Sequence, residues 1–345
     1  MSRDTIAKEV GYSCSYVPLE ILDSFGIKTT YVIRDPSSPN KSQGYVNQNM
    51  CGFCRDICSR PRGQVYDMVF TNCCDAMTKL YESFRIHPDF KNDFSFLLHV
   101  PRSYEAMDVA YWPNVLSHFI QTLETATGES FSENRLRESI IRFNRLRSSL
   151  RQVERMLLED TIWGSEYVKL LFALYDAGVD KSIMLTEEFI TARREDEEKD
   201  ADFSILVTGS NMPVSLQLAK HVEECDGNVR FFDACNLARF YNMEVSESAP
   251  PLEALSEAYL TRLPCARMKN STPRMANLIQ LIKQYGMDLA VYHTVKFCAP
   301  HVYDFIEFKE LCNENSIPLV RIETDHEYEL PGQMATRLEA ALEML

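Results

Sequence analysis

Two stretches of this chain, far apart in sequence, read as buried strands that run into cysteine. Asp67-Met68-Val69-Phe70-Thr71 leads into Asn72-Cys73-Cys74-Asp75, and Leu289-Ala290-Val291-Tyr292 leads on to Lys296-Phe297-Cys298-Ala299-Pro300. In open α/β sheets, ligands collect at the carboxyl ends of the strands, where loops rather than core fill the space. Upstream of both, Cys51, Cys54 and Cys58 form a C-x₂-C-x₃-C group, a spacing that lets neighbouring thiolates converge on one metal or cluster. Thiols brought to strand ends from distant segments point to a soft metal centre. The spread of candidates over both halves favours an iron–sulfur cluster over structural zinc, which usually gathers close Cys or His pairs in one compact module.

The pattern between the cysteines sets the fold class. Residues 10–14, 28–33, 66–71 and 94–100 predict strands, and 18–25 and 76–84 predict helices, the first closed by Gly26. Strands alternating with helices of this length indicate a parallel sheet with helices on its faces. Strand signals vanish from 107 to about 192, and residues 133–158 carry Leu136, Ile140, Phe143, Leu146, Leu150, Val153 and Leu157 at helical spacing, the mark of helix core packing. The polar run 193–200 reads as a solvated linker or helix end. A second α/β unit begins at Phe203, with strands at 204–208, 229–232, 288–292 and 318–322 and helices at 214–224 and 333–345. The expected domains are 1–106, a helical segment and linker over 107–200, and 201–345.

Composition narrows the function classes. At 345 residues the chain is long enough for two domains and a substantial core. A formal charge of −14 leaves no basic field for nucleic acid. No apolar run approaches ~20 residues, so no membrane span is expected, and the N-terminus reads as no signal peptide. Eleven cysteines, an odd number, fit metal-bound or free thiols in a reducing cytoplasm better than disulfides.

Other residues have a plain reading beside a functional one. Cys73 and Cys74 are adjacent, and on an extended backbone their side chains point apart, so one centre should take one of them. Cys225 and Cys312 lie in helical contexts and read as packed small hydrophobes; Cys14, Cys235 and Cys265 stay undecided. Ser15 falls at the end of the first strand, and Glu20 reads as support for a helix N-terminus. Arg262, Arg267, Arg274, Arg337 and Lys269 either bind phosphates, offset an anionic cluster or form surface ion pairs. His293 and His301 flank Cys298 as ligands or as hydrogen-bonded loop histidines. Gly209-Ser210 is either an anion-receiving turn or a plain strand-to-helix connection.

Taken in order, these residues resemble a known family. Gly11-Tyr12-Ser13-Cys14-Ser15-Tyr16-Val17-Pro18-Leu19-Glu20, Cys51-Gly52-Phe53-Cys54-Arg55, Asn72-Cys73-Cys74-Asp75-Ala76-Met77 and Val100-Pro101-Arg102 carry the first half. Thr208-Gly209-Ser210, Asp233-Ala234-Cys235-Asn236, Leu263-Pro264-Cys265-Ala266-Arg267-Met268, Lys296-Phe297-Cys298, Ile322-Glu323-Thr324-Asp325 and the run from Gly332 to Ala340 carry the second. Nearly the whole chain is similar to the 2-hydroxyacyl-CoA dehydratase D-component superfamily, which also holds benzoyl-CoA reductase subunits and double-cubane-cluster reductases. The resemblance implies two flavodoxin-like, Rossmann-like parallel-sheet domains joined by helices, with a [4Fe–4S] cluster in the interdomain cleft. It implies Cys51, Cys74 and Cys298 as ligands, a fourth iron position open to substrate, and Ser15 near that position.

For function, the resemblance implies an iron–sulfur subunit of a lyase that removes water from (R)-2-hydroxyacyl-CoA thioesters. One electron on the thioester carbonyl gives a ketyl radical anion that expels the α-hydroxyl, and the electron is then recovered. Cations such as Arg267 would hold the coenzyme A phosphates. The implied partners are a homologous subunit, as homodimer or heterodimer, and an ATP-hydrolysing iron–sulfur activator. Two departures keep alternatives open. Cys54 and Cys58 are additional thiols that suit a larger or second cluster, and Arg34 and Asp35 stand where dehydrating subunits place a glutamate. An ATP-dependent low-potential reductase, or a cluster-bearing partner, carrier or scaffold without catalysis of its own, are the rivals.

Overall fold

The computed structural model describes residues 9–33, 45–59, 67–88, 90, 92–193, 199, 201–325 and 327–345. Arg34 and Asp35, and most of the polar run 193–200, lie outside the described residues. Two four-stranded sheets organise the chain, and every strand pairing in them is parallel. The first holds β1 (Glu9–Tyr12), β2 (Lys28–Tyr31), β3 (Met68–Thr71) and β4 (Ser95–Leu98) in the order β2-β1-β3-β4. The second holds β5 (Phe203–Gly209), β6 (Gly227–Asp233), β7 (Leu289–Val295) and β8 (Leu319–Thr324) in the order β6-β5-β7-β8. The α/β class read from alternation is therefore what the chain adopts. β3 and β7 are buried along their whole length, as strands covered on both faces must be.

Helices α1 (Leu19–Ser24), α2 (Gly52–Cys58) and α3 (Asp75–Ile86) accompany the first sheet. The strandless middle is four helices: α4 (Ala106–Thr127), α5 (Glu133–Leu158), α6 (Gly164–Leu174) and α7 (Val179–Ala192). Gly128 closes α4 in the left-handed region, and the Ser132 hydroxyl accepts from Arg135 N to start α5. With the second sheet come α8 (Ser215–Glu224), α9 (Pro251–Thr261), α10 (Thr272–Tyr285), α11 (Ala299–Glu314) and α12 (Gly332–Leu342).

The predicted apolar stripe of α5 is buried at all seven positions. Its polar residues tie the two halves together. Arg147 makes a buried ion pair with Glu20 of α1, and Asn144 donates to the Val245 carbonyl at 2.7 Å. Glu20 therefore does more than support a helix end: it is fully buried and also accepts from the Tyr259 hydroxyl of α9 at 2.8 Å.

In each sheet the order reverses direction at the central strand pair, β1/β3 in one and β5/β7 in the other, which makes two switch points. At the second, backbones approach closely. Gly209 ends β5 opposite His293 with φ +144°, and a Cβ there would stand 1.9 Å from the His293 carbonyl oxygen. Ser210 N donates to that same carbonyl and the Ser210 hydroxyl accepts from Val295 N. The Gly-Ser step thus binds β5 to β7 and is a plain connection, not an anion-receiving turn. Gly209→Ala is expected to lower unfolding stability by more than about 3 kcal/mol, read as a fall in the urea midpoint.

Candidate metal centre

The loops leaving both switch points open into one cavity of about 100 Å³. From the first sheet, the turn after β1 supplies Cys14, Ser15 and Tyr16, and the turn after β3 supplies Cys73 and Cys74. From the second, Ser210 and Asn211 follow β5, Cys235 follows β6, and Cys298 follows β7. Cys51 and Cys54 arrive on α2, and Cys265 with Arg267 on the segment after α9. Eight of the chain's eleven cysteines line this cavity, and all eleven are free thiols. Among the described residues no group of three or more His, Cys, Asp or Glu side chains is placed to hold a single metal ion. The thiols are strung around a wall and not gathered at a point.

Six of them form a continuous string of hydrogen-bonding neighbours: Cys14, Cys73, Cys74, Cys54, Cys51 and Cys298. Cys74 is the anionic end of the local chemistry. Hydrogen bonds from Cys54 and Cys73 hold its pKa down to about 4 against the cost of burial, helped by the Met77 N–H in the first turn of α3. Contact with Cys51 keeps both Cys54 and Cys298 protonated well above the ordinary thiol range. Cys74 and Cys298 each stand immediately before a helix, α3 and α11, where N–H groups and the helix dipole favour negative sulfur. The adjacent pair Cys73-Cys74 does not diverge as an extended backbone would require. The chain leaves β3 at Thr71 and bends, so both thiols face the cavity.

Close packing seats α2. A Cβ on Gly52 would lie 2.9 Å from the Asp325 carbonyl oxygen, so only glycine lets Cys51 and Cys54 approach the end of the second sheet. Arg55 locks the contact with an ion pair to Asp325. Cys58, on the last turn of α2, does not line the cavity, and burial pushes its thiol up to about 12.

Behind the thiols lies a shell of buried cations. Arg239 grips Asp233 through Nε (2.5 Å) and Nη2 (2.8 Å) and extends Nη1 to Cys235 Sγ at 3.4 Å. Arg274 pairs with Asp233 at 2.6 Å and with Asp304. Burial works against charge on Asp233, yet Arg239 and Arg274 outweigh it and hold the carboxyl well below its ordinary range. Arg262 and Arg267 have no carboxylate partner among the described residues. Arg262 donates to the Arg239 carbonyl (3.2 Å) and to Ser15 Oγ (3.0 Å), and Arg267 donates to the carbonyls of Val100 and Pro101, both at 2.9 Å. Of the basic residues singled out in the sequence, only Lys269 and Arg337 are surface groups, paired with Glu105 and the Arg321 carbonyl.

His293 is a strand residue whose Nε2 meets Thr324 Oγ1 at 2.9 Å. His301 lines the cavity from α11 but faces Tyr292 and Arg239, and burial with Arg239 beside it lowers its pKa to about 3. Cys312 is buried inside α11, and Cys225 caps α8 away from the cavity. A more open cavity of about 400 Å³ adjoins the thiols at Cys73 and Cys74, with Asp75, Arg102, Arg267, Tyr303 and Glu307 around it. Sequence reasoning left Cys14, Cys235 and Cys265 undecided and passed over Tyr16 and Arg239; for Cys14 and Cys235 the available signal was a cysteine two residues past the end of β1 and of β6, as Cys73 is past β3.

The chain matches known proteins over nearly its whole length. Residues 14–345 match the family model of the 2-hydroxyglutaryl-CoA dehydratase D-component. The chain is 25% identical to the provisionally named dehydratase subunit YjiM of Escherichia coli (strain K12), over 97% of this chain and 91% of that protein. It is 20% identical to the (R)-phenyllactyl-CoA dehydratase beta subunit of Clostridium sporogenes, over 99% of this chain and 93% of that one.

The depressed Cys74 pKa has a direct consequence for the metal-free, reduced chain. A thiol with its pKa near 4 stays thiolate as pH falls, whereas an ordinary one loses about tenfold in thiolate per pH unit below ~8.5. Iodoacetamide should label Cys74 before Cys54 or Cys58, at a rate nearly flat from pH 8 to about 5.5, as read by peptide mass mapping.

Proposed function

The chain belongs to the 2-hydroxyglutaryl-CoA dehydratase D-component family, and on that premise we propose that it is the iron–sulfur subunit of a 2-hydroxyacyl-CoA dehydratase-type enzyme. The observation that carries this reading is the single cavity walled by thiols from both sheets. The residues there fit an anionic iron–sulfur group. Thiols supply the donor set, buried Arg262 and Arg267 supply positive charge that no carboxylate answers among the described residues, and two buried donors, Tyr16 Oη and Arg267 Nε, have no acceptor. A lone zinc ion, by contrast, draws four donors to about 2.3 Å of one point. Cys51, Cys74 and Cys298 would hold a [4Fe–4S] cluster, with Cys54 the further thiol between Cys51 and Cys74; Cys58 is set apart from them.

The cluster would supply one electron at low potential to an acyl-CoA thioester. The chain's own part is to bind, shield and orient. Ser15 presents its hydroxyl at the cavity edge with its oxygen held by Arg262, the thiol wall keeps bulk water out, and the adjoining open cavity admits the substrate past Cys73 and Cys74. Arg267 has two of its nitrogens on backbone carbonyls, so the exposed Arg102 beside it is the group better placed for a coenzyme A phosphate. No helix is long and apolar enough to cross a membrane among the described residues, which supports a cytoplasmic enzyme. The Clostridium sporogenes relative is named a beta subunit, which supports a homologous partner chain here, with an ATP-hydrolysing activator to deliver the electron.

One observation favours a second reading. Cys14, Cys54, Cys73, Cys235 and Cys265 line the cavity in addition to the three expected ligands, enough thiols for a larger or second cluster and an ATP-driven low-potential reductase.

Protein purified without oxygen should carry about four iron and four sulfide, or about eight iron for the larger assembly. Cys74→Ser or Cys298→Ser should lose iron, Cys225→Ser or Cys312→Ser should not, and Cys235→Ser should lower only a count above four. Stoichiometric zinc without acid-labile sulfide would overturn the reading. Anaerobic assays with activator and ATP separate the reactions. Many turnovers per electron indicate dehydration, because the electron is recovered; reductant consumed one for one with product indicates reduction.

A further inference from the structure

Tyr16 is 1% exposed and lines the thiol cavity, and although the Arg262 guanidinium stands beside its hydroxyl, the phenolic proton has no acceptor among the described residues. A buried hydroxyl left unsatisfied costs about 1–3 kcal/mol, so a fold that keeps one against an apolar alternative needs a reason. Phenylalanine would fill the same volume without that cost. The ring itself is held firmly. The Arg262 guanidinium lies over it at 4.0 Å and Arg267 at 5.7 Å, both within the range of attraction between a cation and a ring face.

Neither arginine can take the phenolic proton, since guanidinium groups only donate. Burial, and then the nearby Cys265, push the hydroxyl up to about 12 against the pull of the two arginines, so it remains a donor at neutral pH. Arg262 also fixes the neighbouring hydroxyl. It donates to Ser15 Oγ at 3.0 Å, which leaves the Ser15 proton to point elsewhere, and Ser15 too lines the cavity. Arg267 adds a third donor, its buried and unpartnered Nε. Ser15, Tyr16 and Arg267 all line the cavity, and among the described residues Tyr16 Oη and Arg267 Nε have no acceptor; an anionic acceptor that arrives with the occupant would complement them.

We infer that Tyr16 donates a hydrogen bond to the occupant of the thiol cavity, oriented by Arg262, and sets the potential at which that occupant is reduced. This rests on the reading of the cavity as an iron–sulfur site. Donors aimed at cluster sulfur stabilise the more negative, reduced state and raise its potential. Removing the hydroxyl should lower it.

Tyr16→Phe tests the inference without touching a thiol. Iron and sulfide are measured first, then the potential by EPR-monitored titration, then thermal unfolding of metal-free and loaded protein. With wild-type iron content, the variant should favour the oxidised state about tenfold more than wild type at a given potential, a shift of about 59 mV for one electron. The metal-free variant should be as stable as wild type or more so, because an orphaned donor is gone, while the loaded variant should lose stability. Arg262→Lys, which keeps the charge but not the planar stack and fork, should shift the potential in the same direction. A fully loaded Tyr16→Phe protein with unchanged potential would overturn the inference and leave the cluster reading standing. A wild-type protein that assembles no cluster would overturn both.

Discussion

Positive charge that is buried without a matching carboxylate among the described residues is the constraint on which the rest of this structure turns. Asp233 and Asp304 answer Arg239 and Arg274, but Arg262 and Arg267 are both 9% exposed and rely on carbonyls, a serine hydroxyl and the Tyr16 ring. Withdrawing a guanidinium from water costs several kcal/mol even after relaxation, and neutral dipoles offset only part of that. In a chain with formal charge −14, surface carboxylates were plentiful and were not used here. Arg267 lines the same cavity as the thiols, where hydrogen bonds from Cys54 and Cys73 favour the thiolate of Cys74. Buried cations beside a sulfur-lined cavity leave a place there for an anion.

That arrangement requires two sheets to be held at a fixed separation, and α5 supplies the means. Its apolar stripe packs into the core, while Arg147 reaches Glu20 on one side and Asn144 reaches Val245 on the other. Glu20 and Arg147 are almost wholly buried, so breaking either partner would strand a charge. Tyr259 donates to the same carboxylate from α9, and α9 leads into the segment that carries Arg262, Cys265 and Arg267. A single ion pair thus connects helix packing to the placement of the residues that line the cavity.

Much of this was legible in the sequence. The eight strands were, because a buried parallel strand is a short β-branched or aromatic run bounded by turn residues, and of the middle helices α5 was, through its period; the others were expected only as a helical segment. The pair Cys73-Cys74 and Cys298 stood out because each lies past such a run, and the choice of Cys74 within the pair came from the resemblance. The failures have physical causes. Cys14, Cys235 and Cys265 are isolated cysteines, and no spacing rule ties residues that only tertiary folding brings together. Cys58 fitted the C-x₂-C-x₃-C pattern and shares a helix face with Cys54, but it sits one turn further along α2 and does not line the cavity. The arginines after α9 stayed open between phosphate binding, offsetting an anionic cluster and surface ion pairs, because their partners are backbone carbonyls and an aromatic ring, which leave no charge pattern to detect. Tyr16 looked like any core tyrosine, since an orphaned hydroxyl is a property of its surroundings.

The electrostatics of the outer opening bear on how such a subunit would work. Around the cavity next to Cys73 and Cys74, Asp304 is turned inward to Arg274 and Arg267 is engaged with Val100 and Pro101. Among the described residues, what remains to meet a ligand is Arg102 against Asp75 and Glu307, a field with no positive excess. A coenzyme A thioester carries several phosphate charges, and one exposed arginine beside two carboxylates offers them little. On the proposed reading, cluster binding and substrate anchoring therefore pull apart. The described residues bring thiols and buried cations to one cavity, whereas a grip on an anionic handle would call for cations from another surface. In the proposed assembly that surface belongs to the second subunit, which gives a physical reason for an enzyme of this kind to work as a pair.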